Sequence, residues 1–562
     1  MKTNWDLTHL YKNYDEWKKD YTTLVYLINE FKITNVKDTI DYLDKLDLLI
    51  EKLYCYPKRK LDLNSKDEES SKFINEALKL YSKITSFHNE FNSYIINDLK
   101  DINNNEYNRY LYLILRQKEH ISKDNEYQKS IEKVRNSYRK IIESLKFSDI
   151  TCDNKLENIT RTNYYKYLSN NNSNVRKDAF NSYTNGYVKN ISNLTELFID
   201  KYKIDYNHAK KRNFNTILEM KMFNSELSEN IISNLIKSAN KYIFINEKYI
   251  NFKKKILKLN EFHIYDNKLS ICSVPEYEIS YKDTCNLVKK SLSILGDDYL
   301  KEIDEILNNG WIDVYPKENK RIMSFTSLSY SGSYVLINYK NDISSARTLA
   351  HEIGHRINSN YSRLNNSYIN FDISLFLTEI ASKVNEMLFN NYIINNSTNV
   401  ELKKYILNDV ILSLINSLFG QMMLTEFEND IVTEIEKEES IDSKYICNTY
   451  AKIYKKYNSK IKYQDNIKYD WLKIPHFVMQ ESYYLFQYTT GSAIAINIAD
   501  RIIKHEKGIT DKYKKFLSSG NRLSPIDTLK IIDVDLNDSK YLDDAYKILN
   551  NYVDMIIELN KN

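Results

Sequence analysis

The stretch TLAHEIGHRINSN, residues 348–360, carries His351, Glu352 and His355 in the order HExxH. On a helix, positions i and i+4 project from one face about one turn apart, so the two imidazoles can share a metal ion. Glu352 beside them is placed to reach a bound water. Asn341, Asp342 and Ser344 supply capping groups just ahead of such a helix, and Gly354 leaves room on its neighbouring surface. The competing reading is a structural coincidence, two histidines that fall on one side of a core helix.

A catalytic zinc needs a third protein ligand and an open position for water. Position 358 is Asn358 and the next histidine is His476, so a carboxylate has to be sought. Downstream, SLFLTEIASKVNEMLFNNYI (374–393) reads as a helix whose Leu375, Phe376, Leu377, Ile380, Val384, Met387 and Leu388 demand burial. It nevertheless carries Glu379 and Glu386, and an acid in a buried helix is costly unless it is paired or metal-bound. Glu379 is therefore the expected third ligand, with an ion pair to Lys383 as the plainer alternative. Glu386 is a candidate partner for a ligand histidine.

The whole chain has 562 residues, enough for two or more helical subdomains around a large interior. Lys+Arg 80 against Asp+Glu 76 is a near balance without a basic stripe, which argues against a nucleic-acid partner. The N-terminal MKTNWDLTHLY lacks a charged lead and an apolar core, so a cytoplasmic location is expected. The longest uncharged runs, 410–425 and 482–499, are interrupted and fall short of the ~20 apolar residues of a span, so no membrane partner is expected. Cys55, Cys152, Cys272, Cys285 and Cys447 are odd in number and form no CxxC pair, as reduced core thiols would.

Residues 1–195 read as a series of amphipathic helices forming an N-terminal domain, with 196–562 as the catalytic domain. In SSKFINEALKLYSKITSFHNEF, Ile74, Leu78, Tyr81 and Ile84 recur at helical spacing. Asn-rich breaks at 103–106 and 170–174 punctuate the series. EFHIYDNKLSICSVPEYEISY, with Pro275, suggests a short irregular or strand segment. Residues 308–342 read as a small sheet: WIDVY alternates and ends at Pro316, then MSFTSLSY and YVLINY follow across Ser331, Gly332 and Ser333. An edge strand there could pair with an extended peptide, and an ordinary core hairpin fits the pattern equally.

HEIGH, the second helix with TEIASKVNE, and the later IPHFVMQESYYLFQYTTG (474–491) together resemble the oligoendopeptidase F branch of the thimet oligopeptidase family of zinc peptidases. WIDVY, YVLINY and MMLTEFE extend the resemblance over most of the chain. It implies a mainly α, two-lobed helical body with a deep central channel and a small β-sheet beside the HExxH helix. It also implies one zinc per chain on His351, His355 and Glu379, Glu352 as general base, and cleavage limited to short unstructured peptides. The YVLINY strand would hold the peptide backbone, with Gly332 allowing approach.

His476 and the phenols of Tyr483 and Tyr484 are hydrogen-bond donors, since Tyr stays protonated near neutral pH with a pKa of about 10. The resemblance gives His476 and one of these tyrosines the role of steadying the oxyanion. Gly491 is read as a close turn, a point of substrate approach or a helix start. The chain departs from the family where the spacing from His476 to the tyrosines is longer and Phe486 replaces a tyrosine, which leaves open which phenol faces substrate. Arg356 and Asn358 replace a small residue and a histidine after HEIGH.

Two rival readings stay in view. A zinc carboxypeptidase or dipeptidyl carboxypeptidase would need a cation for the substrate's C-terminal carboxylate, for which Arg321, Arg347 and Arg356 are candidates. A non-catalytic peptide-binding protein on the same fold would have no need of Glu352. Nothing in the sequence specifies an oligomeric state.

Overall fold

The computed structural model describes residues 1–98, 107–122, 126–272 and 277–561. The Asn-rich break at 103–106 and Pro275 lie outside the described residues. The chain is mainly helical, as expected, with a two-stranded hairpin (Ile150–Cys152 with Lys155–Glu157) and one three-stranded sheet.

It divides into two compact units, each assembled from three segments: Met1–Lys118, Glu276–Asn396 and Ala495–Asp535 in the first, and Glu119–Pro275, Ser397–Ile494 and Leu536–Asn562 in the second. A linear boundary at residue 195 would fall inside the helix Ile191–Lys211. The first unit draws on distant segments because its N-terminal residues pair with a sheet some 300 positions downstream. The Asp6 amide donates to the Gly310 carbonyl at 2.8 Å, the Val314 amide to Thr3 at 3.0 Å, and the Trp5 indole to Val335 at 2.7 Å.

In the first unit the helix Glu68–Asp98 forms where its periodicity predicts, but the buried stripe is Phe73, Ile74, Ala77, Leu80 and Ile84, while Leu78 and Tyr81 are exposed. Several faces of that helix carry apolar residues, and only the packing partner selects among them.

The sheet consists of β1 (Ile312–Asp313), β2 (Phe325–Ser327) and β3 (Tyr334–Leu336) in the order β1-β3-β2. β1 runs parallel to β3, and β2 runs antiparallel to it with Phe325 opposite Leu336 and Thr326 opposite Val335. The YVLINY strand is therefore central, with neighbours on both sides, and is not an edge open to a peptide. Gly332 is required by the local fold itself. It has φ +125°, and a Cβ there would lie 2.9 Å from the Trp311 ring. Asp313 breaks the alternation expected of WIDVY: it is fully buried because Lys320 Nζ, also buried, meets its Oδ1 at 2.8 Å.

In the second unit the helices Val400–Ile415 and Gln421–Glu436 join through a π-helical turn, Asn416–Gly420. Together they are long and apolar enough to cross a membrane by length and composition, and 61% of the apolar window is buried inside the molecule. Cys272, Cys285 and Cys447 are buried and all five thiols are free, Cys55 and Cys152 being partly exposed.

Candidate active site

The helix α1 (Ile343–Asn365) starts where the Asp342 side chain accepts the Ser345 amide at 2.7 Å, and it carries the HExxH residues in its middle. Leu349, Ala350, Ile353 and Ile357 bury one face of it. The helix α2 (Leu375–Asn396) packs against α1 at Gly354, where the backbone of Ala381 and Ser382 comes so close that a Cβ would lie 2.7 Å from Ser382 Cα. A cross-link fixes the register: Asn385 donates to the Ala350 carbonyl at 3.2 Å and accepts from the Tyr299 hydroxyl at 2.7 Å.

This close pairing brings Glu379 to the two histidines. His351 Nε2 lies 3.9 Å from Glu379 Oε2, and His355 Nε2 lies 3.7 Å from Glu379 Oε1. One ligand atom from each of the three falls within 4.8 Å of the others. Two imidazole nitrogens and a carboxylate are the donor set of a catalytic zinc, and a tetrahedron with bonds of 2.0–2.1 Å has ligand-to-ligand edges of roughly 3.4 Å. The residues fit such an ion.

Burial and neighbouring charge together shift the two histidines in opposite directions. Burial, with the charges of His351 and Lys383, pushes His355 down to about 3, which keeps it neutral. Burial would also lower His351, but the hydrogen bond it donates to Glu386 and the charges of Glu386, Glu352 and Glu379 raise it. Glu386 Oε2 sits 3.2 Å from His351 Nδ1, which leaves Nε2 to face Glu379. Burial alone would raise Glu386; His351 and Arg347, whose Nε lies 3.7 Å from Oε1, hold it down to about 2.

Glu352 is buried, and that burial raises its carboxyl above the ordinary value against the opposing effects of His351 and Thr326. The Thr326 hydroxyl, from β2, donates to Glu352 Oε2 at 2.7 Å. Thr326 is a site residue that sequence reasoning missed, because a threonine in an alternating strand looks like any other strand residue.

His476, Tyr483 and Tyr484 lie in the second unit, where the structure separates the two tyrosines. Tyr483 is 2% exposed, has φ +55°, and directs its hydroxyl to Asn429 Oδ1 at 3.3 Å. Its amide donates to Glu428 Oε1 at 2.8 Å, and the same oxygen accepts from the Tyr202 hydroxyl at 2.8 Å. Next to it, Ser482 donates to Asp205 at 2.7 Å and accepts from Lys201 at 2.6 Å. Tyr483 is thus a buried anchor of the turn. Tyr484 stays partly exposed, with its ring 6.2 Å from that of His476 and 5.5 Å from that of Tyr488. Burial lowers the pKa of His476. Tyr488, in the first turn of the helix Phe486–Ile503, also places its ring 6.3 Å from that of His476. Gly491 is neither a turn nor a helix start; it lies within the helix Phe486–Ile503.

The residues that depart from the family pattern are structural. Asn358 is buried and donates to the Leu517 carbonyl at 3.1 Å, and Arg356 is buried over the Trp311 ring at 4.5 Å. Phe486 is a core residue.

A helical body with a two-helix donor set of this kind belongs to the metallopeptidases. A model of peptidase family M3 matches residues 166–548, and the chain belongs to that family. It is 29% identical to an oligoendopeptidase F homolog of Borreliella burgdorferi, covering 97% of this chain and 96% of that protein. It is 27% identical to the oligopeptidase PepF of Bacillus subtilis, covering 99% and 87%. Among solved structures, one from Chlamydophila abortus superimposes with a TM-score of 0.92 at 23% identity over 99% of this chain and 98% of that one. The oligoendopeptidase-F of Enterococcus faecium gives 0.70 at 21% identity over 97% and 99%.

Proposed function

We propose that this protein is a zinc-dependent endopeptidase of short unstructured oligopeptides, working in the cytoplasm, with His351, His355 and Glu379 as the metal ligands. The observation that carries this reading is the meeting of two Nε2 atoms and the Glu379 carboxylate across α1 and α2, with Glu352 alongside. Zinc over another divalent ion is favoured by the His2Glu donor set. Bound there, the ion would polarise the peptide carbonyl and acidify the attacking water.

Glu352 takes the proton of that water and passes it to the amine nitrogen as the C–N bond breaks. His476 and Tyr484 donate hydrogen bonds to the oxygen on which charge develops. Glu386 holds His351 in the tautomer that presents Nε2 to the ion. The peptide lies along the open edge of β2, which is the side of the sheet away from β3.

Oligoendopeptidase names among the relatives favour internal cleavage. Of the three candidate cations for a C-terminal carboxylate, Arg356 is sequestered and Arg347 lies beside Glu386, while Arg321 stays half-exposed over the Phe325 ring. Against a pure binder stands Glu352, a buried acid held by a hydrogen bond next to the ligand histidines.

The test is cleavage of an internally quenched peptide of roughly ten residues, about the upper length of one strand, with its C-terminus blocked. Wild type, Glu352→Gln and Glu379→Ala are compared, with zinc measured on each. Glu352→Gln keeps zinc and loses turnover, and Glu379→Ala loses both. A wild type that binds zinc and peptide but cuts nothing makes the chain a binder. Cleavage that needs a free C-terminus makes it a carboxypeptidase.

A further inference from the structure

The small sheet gives one residue two tasks. The Val335 amide donates to Trp311 at 2.8 Å and the Ile337 amide to Asp313 at 3.0 Å, so the main-chain groups of Val335 point toward β1. Thr326 stands opposite Val335 in the antiparallel β2–β3 pair. Their pair is therefore the non-hydrogen-bonded kind, and the N–H and C=O of Thr326 point out to the free edge of β2. Tyr334, one residue before Val335, agrees: its amide turns toward β2 and donates to Ser327 Oγ at 2.9 Å.

The Thr326 hydroxyl points the other way, onto α1. It lies 2.7 Å from Glu352 Oε2 and 3.0 Å from the main-chain oxygen of the same residue. Two contacts to one residue fix the hydroxyl relative to the helix, and the β-branched side chain has little rotamer freedom of its own. A hydrogen bond to a carboxylate oxygen is the stronger of the two, so the hydroxyl clamps Oε2 and leaves Oε1 without that restraint.

We propose that Thr326 is a positioning residue that ties the Glu352 carboxylate to the strand edge that receives the peptide, so that one residue seats the substrate backbone through its main chain and aims the base through its hydroxyl. This inference rests on the reading of Glu352 as the general base. The hydroxyl touches neither the ligand histidines nor Glu379, so its removal spares the metal site. Thr326→Val keeps a strand-forming, β-branched side chain and both edge-facing main-chain groups. Its loss thus falls on the chemical step and not on peptide binding.

The experiment is steady-state cleavage of the quenched peptide by the full-length protein as wild type, Thr326→Val, Thr326→Ala, Thr326→Ser and Glu352→Gln, with zinc content on each. Thr326→Val and Thr326→Ala are expected to retain zinc and to hold KM within about twofold while kcat falls about 10- to 100-fold, the scale of a base misplaced by about an ångström. Thr326→Ser, which restores the hydroxyl, is expected to recover kcat to within a few-fold of wild type. A Val or Ala variant with undiminished kcat overturns the proposal, as does a serine variant no better than alanine, or a rise in KM at constant kcat. Should the Val variant lose zinc through crowding against Glu352, the alanine and serine pair decides. A Glu352→Gln enzyme that still turns over sinks the base assignment itself, an outcome separate from any result at residue 326.

Discussion

Gly354 of α1 and Ser382 of α2 stand too close for a single added methyl group: a Cβ on Gly354 would lie 2.7 Å from Ser382 Cα and 2.8 Å from the Ala381 carbonyl oxygen. The obstruction is backbone, which cannot swing aside. Gly354→Ala should therefore push the helices apart, costing about 1–3 kcal/mol as overpacking does and drawing Glu379 away from the histidines. Thermal unfolding and zinc per chain check this together. An alanine variant with full zinc and an unchanged midpoint would show that the contact is not needed.

Glu386 supports the site without belonging to the ligand set. Glu386→Gln removes the charge at His351 Nδ1 and should weaken zinc affinity about 10- to 100-fold, the usual effect of losing a ligand's outer partner. Competition against a chelator of known affinity measures it. Equal affinities in variant and wild type would mean that the contact orients nothing.

The two adjacent tyrosines should separate cleanly. Tyr484→Phe is expected to lower kcat by 10²-fold or more, as removing an oxyanion donor worth about 3–4 kcal/mol would. Tyr483→Phe loses only its hydrogen bond to Asn429, so kcat should change little while stability falls by about 1 kcal/mol. The reverse pattern would return the donor role to Tyr483.

Asp44 gives a pH signature away from the metal. Burial, together with the charges of Asp47 and Asp41, raises its carboxyl to about 7. The folded state thus holds a proton that the unfolded state has released above about pH 4. Stability from this group is full at low pH and is lost as pH rises through 7. Asp44→Asn should accordingly be more stable than wild type at pH 8, by about 1–2 kcal/mol after discounting for partial solvent access, and should show little advantage at pH 4. Unfolding midpoints of both proteins at the two pH values provide the check; parallel midpoints would contradict the shift.

Much of the site was legible because it rests on local periodicity. The i, i+4 spacing of His351 and His355 needs only a helix to put both rings on one face. Glu379 drew notice as an acid among residues that demand burial, and Asp342 caps the helix as its position suggested. The failures share another origin. Leu78 and Tyr81 have helical spacing but face solvent, YVLINY has strand character but sits in the middle of its sheet, and Tyr483 and Tyr484 are chemically identical neighbours.

The sequence by itself determined the helical character of the chain, the HExxH helix, the carboxylate that could complete a metal set, and the family resemblance built on them. These are properties of residues within a turn or two of one another. Only the tertiary structure decided which strand keeps a free edge, which tyrosine is buried, why Gly354 must lack a side chain, and that Thr326 grips Glu352. Each of these depends on segments far apart in the chain meeting at van der Waals or hydrogen-bond distance. Periodicity specifies the face of an element but not the partner that covers it.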